Sequence, residues 1–314
     1  MSKPLIFQPL IWSAINISEG RDVNALGELA DGLEGLAHGP VLADWSADAD
    51  HNRSVFSLIG DQDSLTQGLL YLYDWAVRHI DLRRHEGHHP RLGAVDVVPF
   101  APLGGSTIEQ AKVVALQCAQ VVAERFELPI FLYRDSSRSS DLPITLPFLR
   151  RGGLTELTQR LQRGEIQSDL GPPAPHPSLG VSVFGARPPL VAYNCVLDTD
   201  DMGIGKQIAS KVRASAGGPA GLQALAFPLQ GRAGAVQISM NLLEPAATPP
   251  HVAFLKVAEV AAEFGTTVTS SELIGLVPQE ALRAAFAYFL KLDGLRPNQV
   301  AEENLMLGRE QERE

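Results

Sequence analysis

Residues 85–96 read His-Glu-Gly-His-His-Pro-Arg-Leu-Gly-Ala-Val-Asp, three imidazoles within five positions followed by a guanidinium and a carboxylate. Two chemistries fit such a set. Histidines and carboxylates gathered by a loop can hold a divalent metal with a position left open for water or substrate. Alternatively, one imidazole that titrates near neutrality takes a proton in one step and returns it in the next. His85 and His88 stand three apart, as on one face of a helix, but Gly87 separates them and Pro90 and Gly93 follow, so a helix here is disfavoured. A metal loop would need Asp96, or Asp48 and Asp50, to complete it, and would describe a metal-dependent hydrolase. The acid–base reading needs a stiff backbone and a partner for the ring. Proline after His89 supplies the stiffness by holding its neighbour extended; Asp96, Asp48 or Asp50 supplies the partner. Arg91 carries the planar fork that grips a carboxylate. A solvated polar loop is the third reading, and spacing alone does not choose among them.

The elements that must hold this loop follow from periodicity. Residues 10–16 read as a strand and ISEGRD (17–22) as a turn, after which Leu26, Leu29, Ala30, Leu33 and Leu36 recur at helical spacing. PVLADW (40–45) and SVFSLIG (54–60) are strands joined by a polar loop, 65–79 is helical, and AVDVVPF (94–100) is a strand. Ser106 to Glu109 has the form of a capping box that opens a helix to Phe126, and LPIFLY (128–133) follows as a buried strand. The second half repeats the rhythm: strand 190–197, helix 204–215, strands 224–229 and 235–240, a helix carrying Phe254, Val257, Ala258 and Ala261 on one face, a strand near 267–271, and a helix opened by Pro278 and running to Leu290. In 235–240, Val236, Ile238 and Met240 alternate with polar residues, as in a half-buried strand.

Each half therefore reads β-α-β-β-α-β, the ferredoxin-like order, and the fold class is α/β (α+β). The expected division is 1–185, 186–300 and a charged tail, 301–314. DLGPPAPHPSLG (169–180), with four prolines and two glycines in twelve residues, is excluded from regular structure. Alone it reads first as a domain linker, and second as a rigid loop lining a cleft.

Composition narrows the function. The 314 residues are 45% apolar, enough for a sizeable core, and Cys118 and Cys195 lack the spacing of a thiolate metal site or a disulfide scaffold. A net charge of −10 without a Lys/Arg block disfavours nucleic acid. No signal peptide or membrane-spanning run is read, so a cytoplasmic protein without membrane contact is expected.

Taken together, His-x-Gly-x-His-Pro-Arg-x-Gly-Ala-x-Asp-Val-x-Pro-Phe from His85 to Phe100 resembles the core motif of the glutamate formimidoyltransferase family. NISEGRD (16–22), DHNRSVFSLIG (50–60), SLGVSVFGARPPLVAYN (178–194), VQISMNLL (236–243) and SELIGLVPQEAL (271–282) resemble further family segments in order, so the similarity covers nearly the whole chain.

The resemblance implies two ferredoxin-like subdomains facing each other across a substrate tunnel, a homodimer, and the stand-alone form without a cyclodeaminase domain. It implies transfer of the formimino group from N-formimino-glutamate to tetrahydrofolate, a co-substrate, with no metal. Carried over by motif, His89 is the catalytic base. Arg91, Asn52, Arg53, Asp48, Asp96, Arg187 and Asn194 are the expected substrate-binding residues. Gly171, Pro172, Pro177, Ser178, Leu179 and Gly180 fall in the folate-contacting loop. Ser46 stands where some members carry a ring-orienting aspartate, which Asp48 or Asp50 would replace. The alternatives are formyl transfer from N-formyl-glutamate on the same scaffold, the metal-dependent hydrolase, and a folate-binding protein without turnover.

Overall fold

A computed structural model describes residues 9–49, 51–87, 91–138, 144–229 and 235–301. The chain divides into two compact units, Met1–Pro188 and Pro189–Glu314.

In the first unit, β1 (Leu10–Ile17) buries Ile11, Ile15 and Ile17 on one face, and the period of two turns Trp12, Ala14 and Asn16 to the other. The helix α1 (Val23–Glu34) follows, its first turn capped by Asp22, which accepts from Ala25 N (3.0 Å). Then come β2 (Val41–Asp48), β3 (Arg53–Gly60), α2 (Gln62–His79), β4 (Val95–Leu103), α3 (Ile108–Phe126), β5 (Ile130–Leu132), α4 (Leu146–Arg150), α5 (Gly153–Gln162) and β6 (Ser182–Ala186). The sheet order is β2-β3-β1-β4-β6-β5. β1 pairs antiparallel with β3 and β4, β2 antiparallel with β3, and β6 parallel with β4 and β5. Two strand–helix–strand crossovers therefore interlock, each placing its strands on either side of a strand from the other.

The apolar stripe of α1 (Leu26, Leu29, Leu33) joins those of α2 and α3 on one face of this sheet, around Phe56, Val98, Phe100 and Phe184. A smaller core forms on the opposite face at the β5 end, where Leu149 and Leu157 of α4 and α5 meet Phe131, Tyr133 and Val183. Among the described residues no helix of this unit covers the rest of that second face, and it is where the candidate site lies.

The second unit repeats the order: β7 (Val191–Leu197), α6 (Met202–Val212), β8 (Leu222–Pro228), β9 (Val236–Leu242), α7 (Pro250–Glu263), β10 (Val268–Ile274) and α8 (Gln279–Leu290). Its sheet runs β10-β7-β9-β8, antiparallel throughout. α6 and α7 cover one face, where Val236, Ile238 and Met240 are buried as their alternation requires. No helix among the described residues is long and apolar enough to cross a membrane. The architecture is α+β with two sheets.

Two expectations need correction. The capping box sits one residue later than Ser106–Glu109: Thr107 Oγ1 accepts from Gln110 N (3.2 Å) and Gln110 Oε1 accepts from Thr107 N (2.8 Å). The Ser106 hydroxyl is taken instead by the amide of Leu10 at the start of β1 (2.9 Å). Nor is 169–180 a linker, since it lies within the first unit. Leu170 bridges Ile130, and Gly180 bridges Gly93 and His176, with Gly171 and Gly180 both at positive φ where the chain turns back onto the sheet.

Candidate functional site

The turn after β1, the β2–β3 turn and the histidine loop meet at one buried side chain. Asn52 is 5% exposed and takes a left-handed backbone (φ 47°), which asparagine tolerates better than most residues. Its Oδ1 accepts from Gly20 N (2.9 Å), and its Nδ2 donates to the Glu86 carbonyl (2.8 Å). Gly20 is required by close approach: a Cβ there would lie 2.3 Å from the Asp48 carbonyl oxygen and 2.5 Å from Arg53 N. Glu19 secures the same turn, one carboxylate oxygen accepting from Gly20, Arg21 and Asp22 N at 2.9, 2.7 and 3.0 Å. Asp48 accepts from His51 N (2.9 Å), and its other oxygen lies 2.6 Å from His51 Nδ1. Asp48, Asn52 and Arg53 thus belong to one rigid corner.

His85 faces the backbone of Ser18 and the guanidinium of Arg91. Burial, then the positive charge of Arg91, holds its pKa below the ordinary histidine value, so the ring is neutral at physiological pH. Arg91 also donates to the carbonyls of His51 (3.1 Å) and Asn52 (3.4 Å), clamping the β2–β3 turn from the loop side.

Asp96 is 2% exposed. Its Oδ1 accepts from Leu92 N (2.7 Å) and Gly93 N (3.2 Å), and its Oδ2 lies 2.5 Å from Arg150 Nη2. It braces the exit of the histidine loop. Arg53, the first residue of β3, points to the face that α1–α3 leave uncovered; burial and then the nearby Arg150 lower its pKa. Arg187 directs Nη1 to the Pro188 carbonyl (3.0 Å) and hydrogen-bonds Tyr133, whose hydroxyl is held protonated by burial. Arg150 lies near Tyr133 as well. Arg53, Arg91 and Arg150 thus concentrate positive charge around Asp96 in a protein of net charge −10.

Arg150 is the residue that the motif reading passed over. Its signal was present: Leu146, Leu149 and Arg150 stand at i, i+3 and i+4, which places a guanidinium beside an apolar helical face.

The loop from Gly171 to Gly180 is closed by His176 and Gly180, which exchange backbone hydrogen bonds (2.8 and 2.9 Å). Leu179 is buried in the main core. Pro172, Pro175 and Pro177 line a cleft of about 570 Å³ against Glu124 and Glu127. His176 Nδ1 accepts from Ser178 N (3.3 Å) and Leu179 N (3.1 Å), which requires an unprotonated nitrogen. Burial lowers this ring's pKa, against the opposing pull of Glu127. On acidification the unfolded chain therefore takes the proton first, and stability present at neutral pH is lost as pH falls through the ordinary histidine value toward the folded one. His176→Asn, which keeps an acceptor that does not titrate, is expected to match the wild-type melting temperature at neutral pH and to lose less of it between about pH 7 and pH 5. Parallel acid losses in the two proteins would remove this role from His176.

His89 lies outside the described residues, as do His88, Pro90 and Asp50. Asn194 belongs to the second unit, 7% exposed in β7, opposite Ser239 and Glu272 in register and on the face away from α6 and α7. Among the described residues no group of three His, Cys, Asp or Glu side chains is placed to hold a metal ion. Cys118 and Cys195 are buried, their thiols pushed up to about 12 and about 11.

Residues 10–187 match the formiminotransferase domain, N-terminal subdomain, and residues 192–306 match the formiminotransferase domain. The chain is 36% identical over 296 residues to a glutamate formimidoyltransferase of Streptococcus pyogenes serotype M1, covering 93% of this chain and 97% of that one. It is 34% identical to a glutamate formimidoyltransferase of Thermoplasma acidophilum, covering 92% and 95% respectively. A formimidoyltransferase-cyclodeaminase of Sus scrofa is 32% identical over 89% of this chain, which spans 52% of that longer protein. With both halves matched, and with relatives of this length more than 30% identical over nearly the whole chain, the chain belongs to the formiminotransferase family and is an enzyme of its glutamate formimidoyltransferase type.

Proposed function

We propose that the protein moves the formimino group of N-formimino-L-glutamate to N5 of tetrahydrofolate, giving 5-formimino-tetrahydrofolate and glutamate. The observation that carries this reading is the knot at Asn52, where the turn after β1, the β2–β3 turn and the histidine loop are tied by two hydrogen bonds from one side chain. His89 is the general base. It accepts the N5 proton as that nitrogen attacks the amidine carbon, then delivers a proton to the glutamate nitrogen as the tetrahedral intermediate collapses. Holding both substrates in one site supplies much of the remaining acceleration, and no metal enters the scheme.

Arg53, Arg91 and Arg187 set the positive field for the substrate carboxylates, with Asn52, Asp48 and Asp96 shaping the corner. The loop Gly171–Gly180, through Pro172, Pro177, Ser178 and Leu179, contacts the folate, and Asn194 contributes from the second unit. In this reading both units are ferredoxin-like, and the enzyme works as a homodimer. The strand orders β2-β3-β1-β4 and β10-β7-β9-β8, the same pattern twice, support the first of these statements.

The test is a turnover assay with tetrahydrofolate and either N-formimino-glutamate or N-formyl-glutamate, run with and without a chelator. Glutamate release from the formimino donor, tetrahydrofolate-dependent and chelator-insensitive, is the expected result. Preference for the formyl donor would change the group transferred. Loss of activity on chelation would replace the scheme with metal-dependent hydrolysis.

A further inference from the structure

Helix α8 leaves most of its apolar surface in water. Of its twelve residues, Gln279 to Leu290, only Ala281 is buried. Leu282, Phe286, Phe289 and Leu290 are each 50–59% exposed. At 3.6 residues per turn these four make one apolar stripe, and Glu280 falls on the far side of the helix from it. The helix is nevertheless firmly held. His251, at the start of α7, meets the rings of Tyr288 (5.0 Å) and Phe289 (6.2 Å), which tie α8 to α7. Lys291, left-handed at φ 55°, ends the helix, so that Lys291 N and Leu292 N donate to the carbonyls of Tyr288 (3.2 Å) and Ala287 (2.9 Å). The stripe is therefore a fixed surface.

Its size matches that of an interface. Tyr288 packs edge-on against Phe289, and with Leu292 it extends the apolar surface beyond the stripe. Six large side chains about half exposed leave roughly 650 Å² of mostly apolar area, above what folded monomers ordinarily keep in one patch. Two such surfaces laid together would bury roughly 1,300 Å², within the span of stable, specific interfaces.

Its pattern matches itself. Leu282, Phe286 and Leu290 stand at i−4, i and i+4, a single ridge symmetric about Phe286. A two-fold axis at Phe286 lays Leu282 of one copy against Leu290 of the other, apolar on apolar, as a contact between identical surfaces requires. Two chains of net charge −10 repel one another, and this stripe brings no carboxylate to their meeting. A lipid surface is a poorer match, since a membrane-lying helix carries a Lys/Arg-rich polar face and anionic lipid repels an acidic protein.

We propose that the α8 stripe is the surface through which two copies of this chain associate, with the two-fold axis at Phe286. The proposal rests on the homodimer named above for the number of copies; the choice of face rests on α8 itself.

Sedimentation equilibrium on the full-length chain tests it. The wild type is expected at twice the mass of one chain, and Phe286→Glu and Leu290→Glu as folded monomers by circular dichroism. The dimer Kd should rise at least about 100-fold in each, because every dimer carries the change twice at the centre of the contact. Phe286→Cys, oxidised, should trap a disulfide-linked dimer, because residue 286 meets itself on the axis, and Glu280→Cys should not. The native Cys118 and Cys195 are buried and do not compete. Should Phe286→Glu fail to fold, Leu290→Glu and the cysteine pair decide the matter. A wild-type dimer that persists in the folded glutamate variants would overturn the α8 interface and leave the homodimer standing. A monomeric wild type would overturn both. In that case, a residue-286 thiol that resists maleimide would give the face to the chain's own tail. Binding to phosphatidylcholine–phosphatidylserine vesicles, lost in Phe286→Glu, would give it to a lipid surface.

Discussion

His89→Ala is expected to lower kcat by about 10²- to 10⁴-fold, the usual worth of a positioned acid–base group, while tetrahydrofolate binding stays close to wild type. The reason lies in what the reaction asks of one ring. A proton must leave N5 and another must reach the departing glutamate nitrogen, so a single imidazole that cycles between its two forms serves both steps. The limb of the pH–rate profile that reports its ionisation should vanish with it. His85→Ala is expected to be milder. That ring is half-buried, its pKa held below the ordinary histidine value by burial and by Arg91, and it is set against the Ser18 backbone, where it supports the loop. Steady-state kinetics on both variants, with folate affinity measured separately, check the assignment. Equal losses would give the base to the wrong ring.

The second large effect is on stability. Asp96→Ala is expected to cost about 3–5 kcal/mol, as when one member of a buried ion pair is removed. The substitution strands the Arg150 guanidinium without its counter-charge and leaves the N–H groups of Leu92 and Gly93 without an acceptor. Asp96→Asn, which keeps an acceptor for the amides but not the charge, should fall between alanine and wild type. Removing the arginine as well, in Asp96→Ala with Arg150→Met, should recover part of the loss, because the penalty comes from the uncompensated charge. Calorimetric melting of the four proteins measures this. A double variant no more stable than Asp96→Ala would mean that the amide contacts, and not the ion pair, carry the effect.

Both predictions bear on how much of the molecule was written locally along the chain. Helices and strands were legible wherever a repeating apolar face had to be buried. Leu26, Leu29 and Leu33 in α1, and Val236, Ile238 and Met240 in β9, are buried as their spacing required. The β-α-β-β-α-β order was legible for the same reason, and residues 10–187 and 192–306 matched the family that the motifs resembled. The short helices α4 and α5 were not, because five and ten residues of mixed polarity carry too few periods to stand out.

Sequence by itself determined which chemical groups were present and which faces had to be hidden, since both depend only on residue type and spacing over a few positions. Its resemblance to the family implied roles for Asn52, Arg53, Asp48, Arg91 and Asp96. Tertiary structure alone decided what those groups do to one another. It made Asp96 the brace of a loop and brought Arg150 to it from 54 residues away. It folded the proline-rich segment back onto the first sheet through Gly171 and Gly180, and it drew Ser106 off the helix cap to meet Leu10. The physical reason is common to all three: the partner of a polar group is set by which distant segment arrives beside it, and no local period along the chain encodes that meeting.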